Sequence, residues 1–240
     1  MDASWEEFGW ERLGNGIGRR RLPVWDATVA LVAGADSVLL LDTGATLREG
    51  AQVRAQAQAL LGRRVTHIAL SHPHFDHVLG TAAFAGAEVY GAVGTAELLG
   101  RGADGLRADA VRHGMSERDA TAAADALVAP RHQVSGEWTL DLGGGLQVLL
   151  ANVGPGHTGH DLAVLVPGSP VVVLCGDLVE ESGEPQAGPD AVPSHWPAAL
   201  DRLLELGGED ALYVPGHGAV VDAAFVRAQR DRLAARFGVS

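Results

Sequence analysis

The chain has no lysine; all 18 of its basic residues are arginine. That absence excludes Schiff-base chemistry and any lysine-anchored clamp for a carboxylate or phosphate. Cysteine is nearly absent as well. The one thiol, Cys175, can form neither an internal disulfide nor a cysteine-rich zinc knuckle. Any metal in this protein must therefore be held by histidine and carboxylate. No apolar run approaches the roughly 20 residues needed to span a bilayer. The opening stretch, MDASWEEFGWERLG, is acidic and aromatic where a secretory leader would be basic and then apolar. Both observations predict a cytoplasmic protein with no membrane partner. Positive charge is in deficit too: the net charge of −12 argues against nucleic acid, because phosphate binding needs a basic surface.

What the chain does have is a large apolar fraction, 47% of 240 residues, enough to bury a sizeable core. WDATVALVAG and SVLLLDTG read as two strands of an antiparallel hairpin. LREGAQVRAQAQALLG reads as a helix ending at Gly62, and VTHIALS as a short buried strand. GTAAFAG predicts a short helix and AEVYGA the next strand. The Ala- and Arg-rich stretch 94–131 reads as a helical insertion, with Ser116 as a helix cap. EWTLDLGGGLQVLLANVG and DLAVLVPGSPVVVLCGD each give two strands, WPAALDRLLEL an amphipathic helix, ALYVPGHG a final strand, and AAFVRAQRDRLAARFG a terminal helix. Helices alternate with strands, but hairpin-like pairs are mixed in. This predicts an α/β protein with two packed mixed sheets and helices outside, in a single domain over residues 1–240.

Polar clusters recur at one kind of place, the end of an apolar strand. They are His72, His74, Asp76 and His77 after HIAL, His157 after LQVLLANVGPG, Asp177 after VVVLCG, and His217 after ALYVPG. Loops at one end of a sheet converge in space, so these residues can form one site. In SHPHFDH, residues two apart can point the same way, so His72 and His74 suit one ion and Asp76 and His77 a second. The donors are those zinc favours, with iron(II) and manganese also compatible.

The arrangement resembles the metallo-β-lactamase-fold superfamily. SHPHFDH matches its HxHxDH motif, GPGHTGHD its third motif, CGDLVEE its fourth, PGHG its fifth, and LLLDTG the segment that opens its first. The pieces keep the family's order from Asp42 to His217, nearly the whole chain. The resemblance implies an αββα sandwich with the site at one edge. It implies two zinc ions, one on His72, His74 and His157 and one on Asp76, His77 and His217, with Asp177 bridging. Asp42 would hold a ligand loop without touching metal, and Asp76 would also help move a proton.

The implied activity is hydrolysis of a small ester, thioester, lactone or amide. Two alternatives are a mono-iron, persulfide dioxygenase-like oxidoreductase and a β-lactamase. The missing lysine, and Asp177 where some β-lactamase subclasses have cysteine, disfavour the last. The sequence shows neither the C-terminal helical domain of glyoxalase II nor the inserted domain of the RNA-processing branch; with the acidic charge, this predicts a small-molecule substrate and not nucleic acid. His160, His195, Trp196 and Trp25 are candidate substrate contacts, with Trp138 also near the site. His67 reads as a strand residue with a satisfied hydrogen bond, and His113 and His132 as surface residues. The loops around the metals (the first hairpin, 94–131 and 180–195) would set the substrate.

Overall fold

Strands whose residues are apolar at every position form the middle of the molecule, because both of their faces are buried. A computed structural model describes residues 4–239. Met1–Ala3, the first residues of the segment read for a leader, and Ser240 lie outside the described residues. In chain order the elements begin with β1 (Glu11–Gly14), β2 (Ile17–Arg21), β3 (Thr28–Ala33), β4 (Val38–Leu41), α1 (Leu47–Leu61) and β5 (His67–Ala69). The short α2 (Phe75–Val78), β6 (Glu88–Ala92), α3 (Thr95–Arg112), α4 (Glu117–Asp125) and β7 (His132–Val134) follow. The chain continues through β8 (Glu137–Asp141), β9 (Gln147–Asn152), β10 (Leu162–Val166) and β11 (Val172–Glu180). It ends in α5 (Trp196–Gly207), β12 (Leu212–His217) and α6 (Ala223–Phe237).

The strands make one sheet in the order β1 to β7 and a second in the order β12-β11-β10-β9-β8. Both are mixed: β1 to β4 are antiparallel and β4 to β7 parallel, while β12 runs parallel to β11 in an otherwise antiparallel sheet. Three apolar layers separate four layers of structure. In β4, Val38 and Leu40 pack beneath α1 and Leu39 and Leu41 pack between the sheets. In β11, Val172 and Leu174 face the other sheet, and Val173 and Cys175 face α5 and α6. Strict period-two alternation therefore buries every residue of these runs. The result is an αββα sandwich, as the resemblance implies.

Local sequence explains the helix ends. Thr46 accepts a hydrogen bond from the Glu49 N–H at 3.0 Å and opens α1, and Gly62 in the left-handed region closes it. Ser116 caps α4 in the same way through the Asp119 N–H, at 3.1 Å. The stretch 94–131, read as an insertion, is the crossover between the parallel neighbours β6 and β7, which no tight turn could join. GTAAFAG makes only a 3-10 turn, Thr81–Ala83. Three strands went unread: β7, and the hairpin of β1 and β2 around Asn15-Gly16, a turn pair suited to positive φ.

Leu174 is fully buried between the sheets. Leu174→Ala is expected to lower the unfolding free energy by about 2–5 kcal/mol, read from urea titration of the metal-free protein.

Candidate metal centre

The polar strand ends meet at one edge of the sandwich. Asp42 follows β4, the turn from Ser71 to His77 follows β5, His157 follows β9, Asp177 lies within β11, and His217 ends β12. The two sheets are tied together here. Leu162 donates its N–H to the Ser71 carbonyl at 2.7 Å, and Ala27 pairs with His217 in an isolated bridge. Register shifts in β11 around Gly176 turn Asp177 and Glu180 toward the edge. Gly176 has φ +56°, and a β-carbon there would sit 2.8 Å from Ser71 Cβ. A β-carbon on Gly216 would overlap the Asp177 carboxylate, so the chain passes beside that group only as glycine.

Two sets of donor atoms converge, His72, His74, His157 and Asp177 in one and Asp76, His77 and His217 in the other. Asp177 joins them: its Oδ2 lies 3.6 Å from His72 Nε2, 3.5 Å from His157 Nε2 and 3.3 Å from His217 Nε2. Its Oδ1 lies 3.2 Å from His77 Nε2. Asp76 Oδ2 is 3.4 Å from His217 Nε2 and 3.6 Å from His77 Nε2.

Each imidazole is held by its outer nitrogen. Asp42 accepts from the Ser71 N–H and hydroxyl, both at 2.7 Å, and from His77 Nδ1 at 2.9 Å. The Ser71 hydroxyl proton is thereby used, so His72 Nδ1–H donates to Ser71 Oγ at 2.9 Å. His157 Nδ1–H donates to the Gln186 carbonyl at 3.1 Å and His217 Nδ1–H to the Trp25 carbonyl at 3.0 Å. His74 Nε2–H donates to Asp190 at 3.0 Å. These bonds make the outer nitrogen of all five imidazoles a donor and turn the other nitrogen of each inward. Asp42 therefore holds the histidine turn through Ser71 and His77. It adopts a left-handed backbone, φ 56°, which its three accepted hydrogen bonds stabilise.

This donor set fits a divalent cation. The inward His72 Nε2, His77 Nε2 and Asp177 Oδ1 are buried without a hydrogen-bond partner. His157 Nε2 and His74 Nδ1 approach to 3.0 Å, close enough to face one cation together. Electrostatics divide the centre into a neutral and a cationic side. Burial drives His157 down to about 4 and His72 well below the usual imidazole range, only partly offset by Asp177, so both are neutral. Burial would also lower His217, but Asp177 and Asp76 outweigh it and raise it to about 11. Burial opposes charge on Asp177, yet His77, His217 and His72 hold its carboxyl well below the usual range.

The centre forms the floor of a cavity of about 880 Å³. Of the candidate substrate contacts, Trp25 lines it, with its indole N–H donating to the His113 carbonyl at 3.1 Å. The other three do not. Trp196 is fully buried, donating to the Leu178 carbonyl and packing its ring edge-on to His157 at 5.4 Å. His195 is exposed at the start of α5 beside Ser194. His160 turns away, donating Nδ1–H to the Val93 carbonyl at 2.8 Å beside Gly94. Nearness in sequence to a ligand fixed none of these directions. Trp138 lies elsewhere, half-exposed on β8 against Tyr90 and His132. His67 bonds Thr66 Oγ1 in its strand, as read. His113, read as a surface residue, stacks on Phe75 at 5.5 Å and lines the cavity.

Sequence reading also missed Asp190, Gln186 and Glu180. Glu180 groups with Asp177 and His217, and its Oε1 accepts from the Ser182 N–H and hydroxyl. Its place in CGDLVEE was visible; the bulge that turns it inward was not.

Fold and site together define a metal-binding αββα protein. The family model of the metallo-beta-lactamase superfamily matches residues 22–217, and the chain belongs to that superfamily. It is 28% identical over 195 residues to metallo-beta-lactamase domain-containing protein 1 of Xenopus laevis, covering 80% of this chain and 71% of the relative. Its fold is similar to a metallo-beta-lactamase from Pontibacter korlensis, with TM-score 0.73, 20% identity and coverage of 93% of this chain and 97% of that one. It is also similar to the metallo-beta-lactamase FIM-1 from Pseudomonas aeruginosa in its mono-zinc form, with TM-score 0.70, 20% identity and 96% of each chain covered. Among the described residues no helix is long and apolar enough to cross a membrane.

Asp190→Asn keeps the shape of the His74 partner but removes its charge. It is expected to weaken metal binding by about 10–100-fold, measured by competition with a chromogenic chelator, while Glu184→Gln on the same loop leaves affinity unchanged.

Proposed function

We propose that the chain is a metal-dependent hydrolase that uses two zinc ions against a small ester, thioester, lactone or amide. The observation that carries this reading is Asp177, whose two carboxylate oxygens face the two donor sets. Bound there, the ions supply Lewis acidity toward the substrate carbonyl and a water acidic enough to attack it. His72, His74 and His157, each locked by its outer nitrogen, hold one ion, and Asp76, His77 and His217 the other. The Asp76 carboxylate, at the cavity floor, takes the proton of the attacking water and returns it to the leaving atom. Phe75 and Trp25, packed edge-to-face at 5.6 Å beside it, limit water at the reacting carbon.

The net charge of −12 supports a small-molecule substrate over nucleic acid. The intact second set, Asp76, His77 and His217, favours this chemistry over a single-iron oxidoreductase.

Metal analysis of protein purified without added metal is expected to give about two zinc per chain. Asp76→Ala is expected to lower kcat by about 10²–10⁴-fold on any hydrolysed substrate, with an unchanged circular dichroism spectrum. Full activity in that variant overturns the assigned role. One iron per chain with oxygen uptake replaces the hydrolase with an oxidoreductase.

A further inference from the structure

We infer that the cavity over the metal centre selects an uncharged, apolar acyl group and rejects substrates carrying an anionic end; this rests on the hydrolase reading above. One part of the lining is apolar. Leu98, Gly102 and Leu106 recur every four residues along α3 and so share a face of that helix, which borders the cavity. Leu98 is 37% exposed there, one of the few large apolar side chains left accessible among the described residues. Trp25 and Phe75 continue this surface down to the metal-facing residues.

The aromatic part is held from three elements at once. Phe75 comes from α2, Trp25 from the loop before β3, and His113 from the end of α3. The Trp25–Phe75 rings meet edge-to-face at 86°, Phe75 stacks on His113 at 19°, and the Trp25 indole is pinned to the His113 carbonyl. Rings held by such contacts bind by desolvation and lose little side-chain entropy of their own.

Charge supplies the rejection. Apart from Asp76 and Asp177 at the floor, the lining carries the carboxylates Asp109, Glu180, Glu184 and Asp190. Its only guanidinium is Arg112, already ion-paired with Asp109. The chain has no lysine, and the other cationic groups of the lining are imidazoles, of which His74 and His217 are already engaged by Asp190 and by Asp76 and Asp177 at the floor. An anionic tail would give up its hydration to face like charge. A volume of about 880 Å³ is ample for a medium-length acyl chain.

The test compares p-nitrophenyl acetate, p-nitrophenyl octanoate and p-nitrophenyl hydrogen suberate on the zinc-loaded protein. The last two have the same acyl length and differ by a terminal carboxylate. In parallel, octanamide and suberamic acid are titrated calorimetrically. The octanoate kcat/KM is expected to exceed that of acetate and of the suberate by about ten-fold or more. Leu98→Asp is expected to bring the octanoate-to-acetate ratio close to 1, while Leu98→Met keeps it. Octanamide is expected to bind about ten-fold tighter than suberamic acid. If acetate is hydrolysed with no gain for octanoate, the acyl seat is overturned and the hydrolase reading stands. If no ester is hydrolysed but octanamide binds selectively, the seat stands and the hydrolase reading falls. Equal binding with no hydrolysis overturns both.

Discussion

One buried carboxylate orients the metal-facing turn. Asp42 accepts hydrogen bonds from the Ser71 N–H, the Ser71 hydroxyl and His77 Nδ1. The first fixes where the chain leaves β5. The second spends the hydroxyl proton of Ser71 and so commits His72 to present Nε2 inward. The third does the same for His77. Asp42 thus governs one residue in each donor set while touching neither inward nitrogen. Its own position follows from β4: four residues buried on alternate faces lock the strand, and the left-handed turn at its end swings the carboxylate under the histidine loop.

The electrostatic design follows from the same enclosure. Burial penalises every charge at the centre, so the imidazoles sort by how many carboxylates flank them. His72 and His157 stay neutral, and the side of the centre flanked by both Asp76 and Asp177 draws positive charge. Neutral imidazole nitrogens and carboxylate oxygens together are the donors that hold a divalent cation.

Much of this was legible in the sequence, and the reason is physical. Runs such as VLLL and VVVLCG are apolar at every position because both faces are covered, which betrays central strands and layered packing. The seven metal-facing residues stand out because each follows such a run. What stayed hidden depends on loop conformation. Asp190 and Gln186 reach the ligands from a Pro- and Gly-rich segment with no periodicity to read. Glu180 faces inward only because β11 slips register. His160, His195 and Trp196 were placed near the pocket by sequence distance alone, and side-chain direction then took each elsewhere. The β1–β2 hairpin was signalled by Asn15-Gly16, but its strands are short and charged, with little alternation to reveal them.

The centre draws its donors from both sheets. His72, His74, Asp76 and His77 hang from the first, and His157, Asp177 and His217 from the second. Neither half of the chain carries a complete set for either position, so the site exists only once the two halves have docked. A cation held there is a rivet between them, and its affinity includes the free energy of closing the sandwich at that edge. Metal binding and assembly of this protein are, at that edge, a single equilibrium.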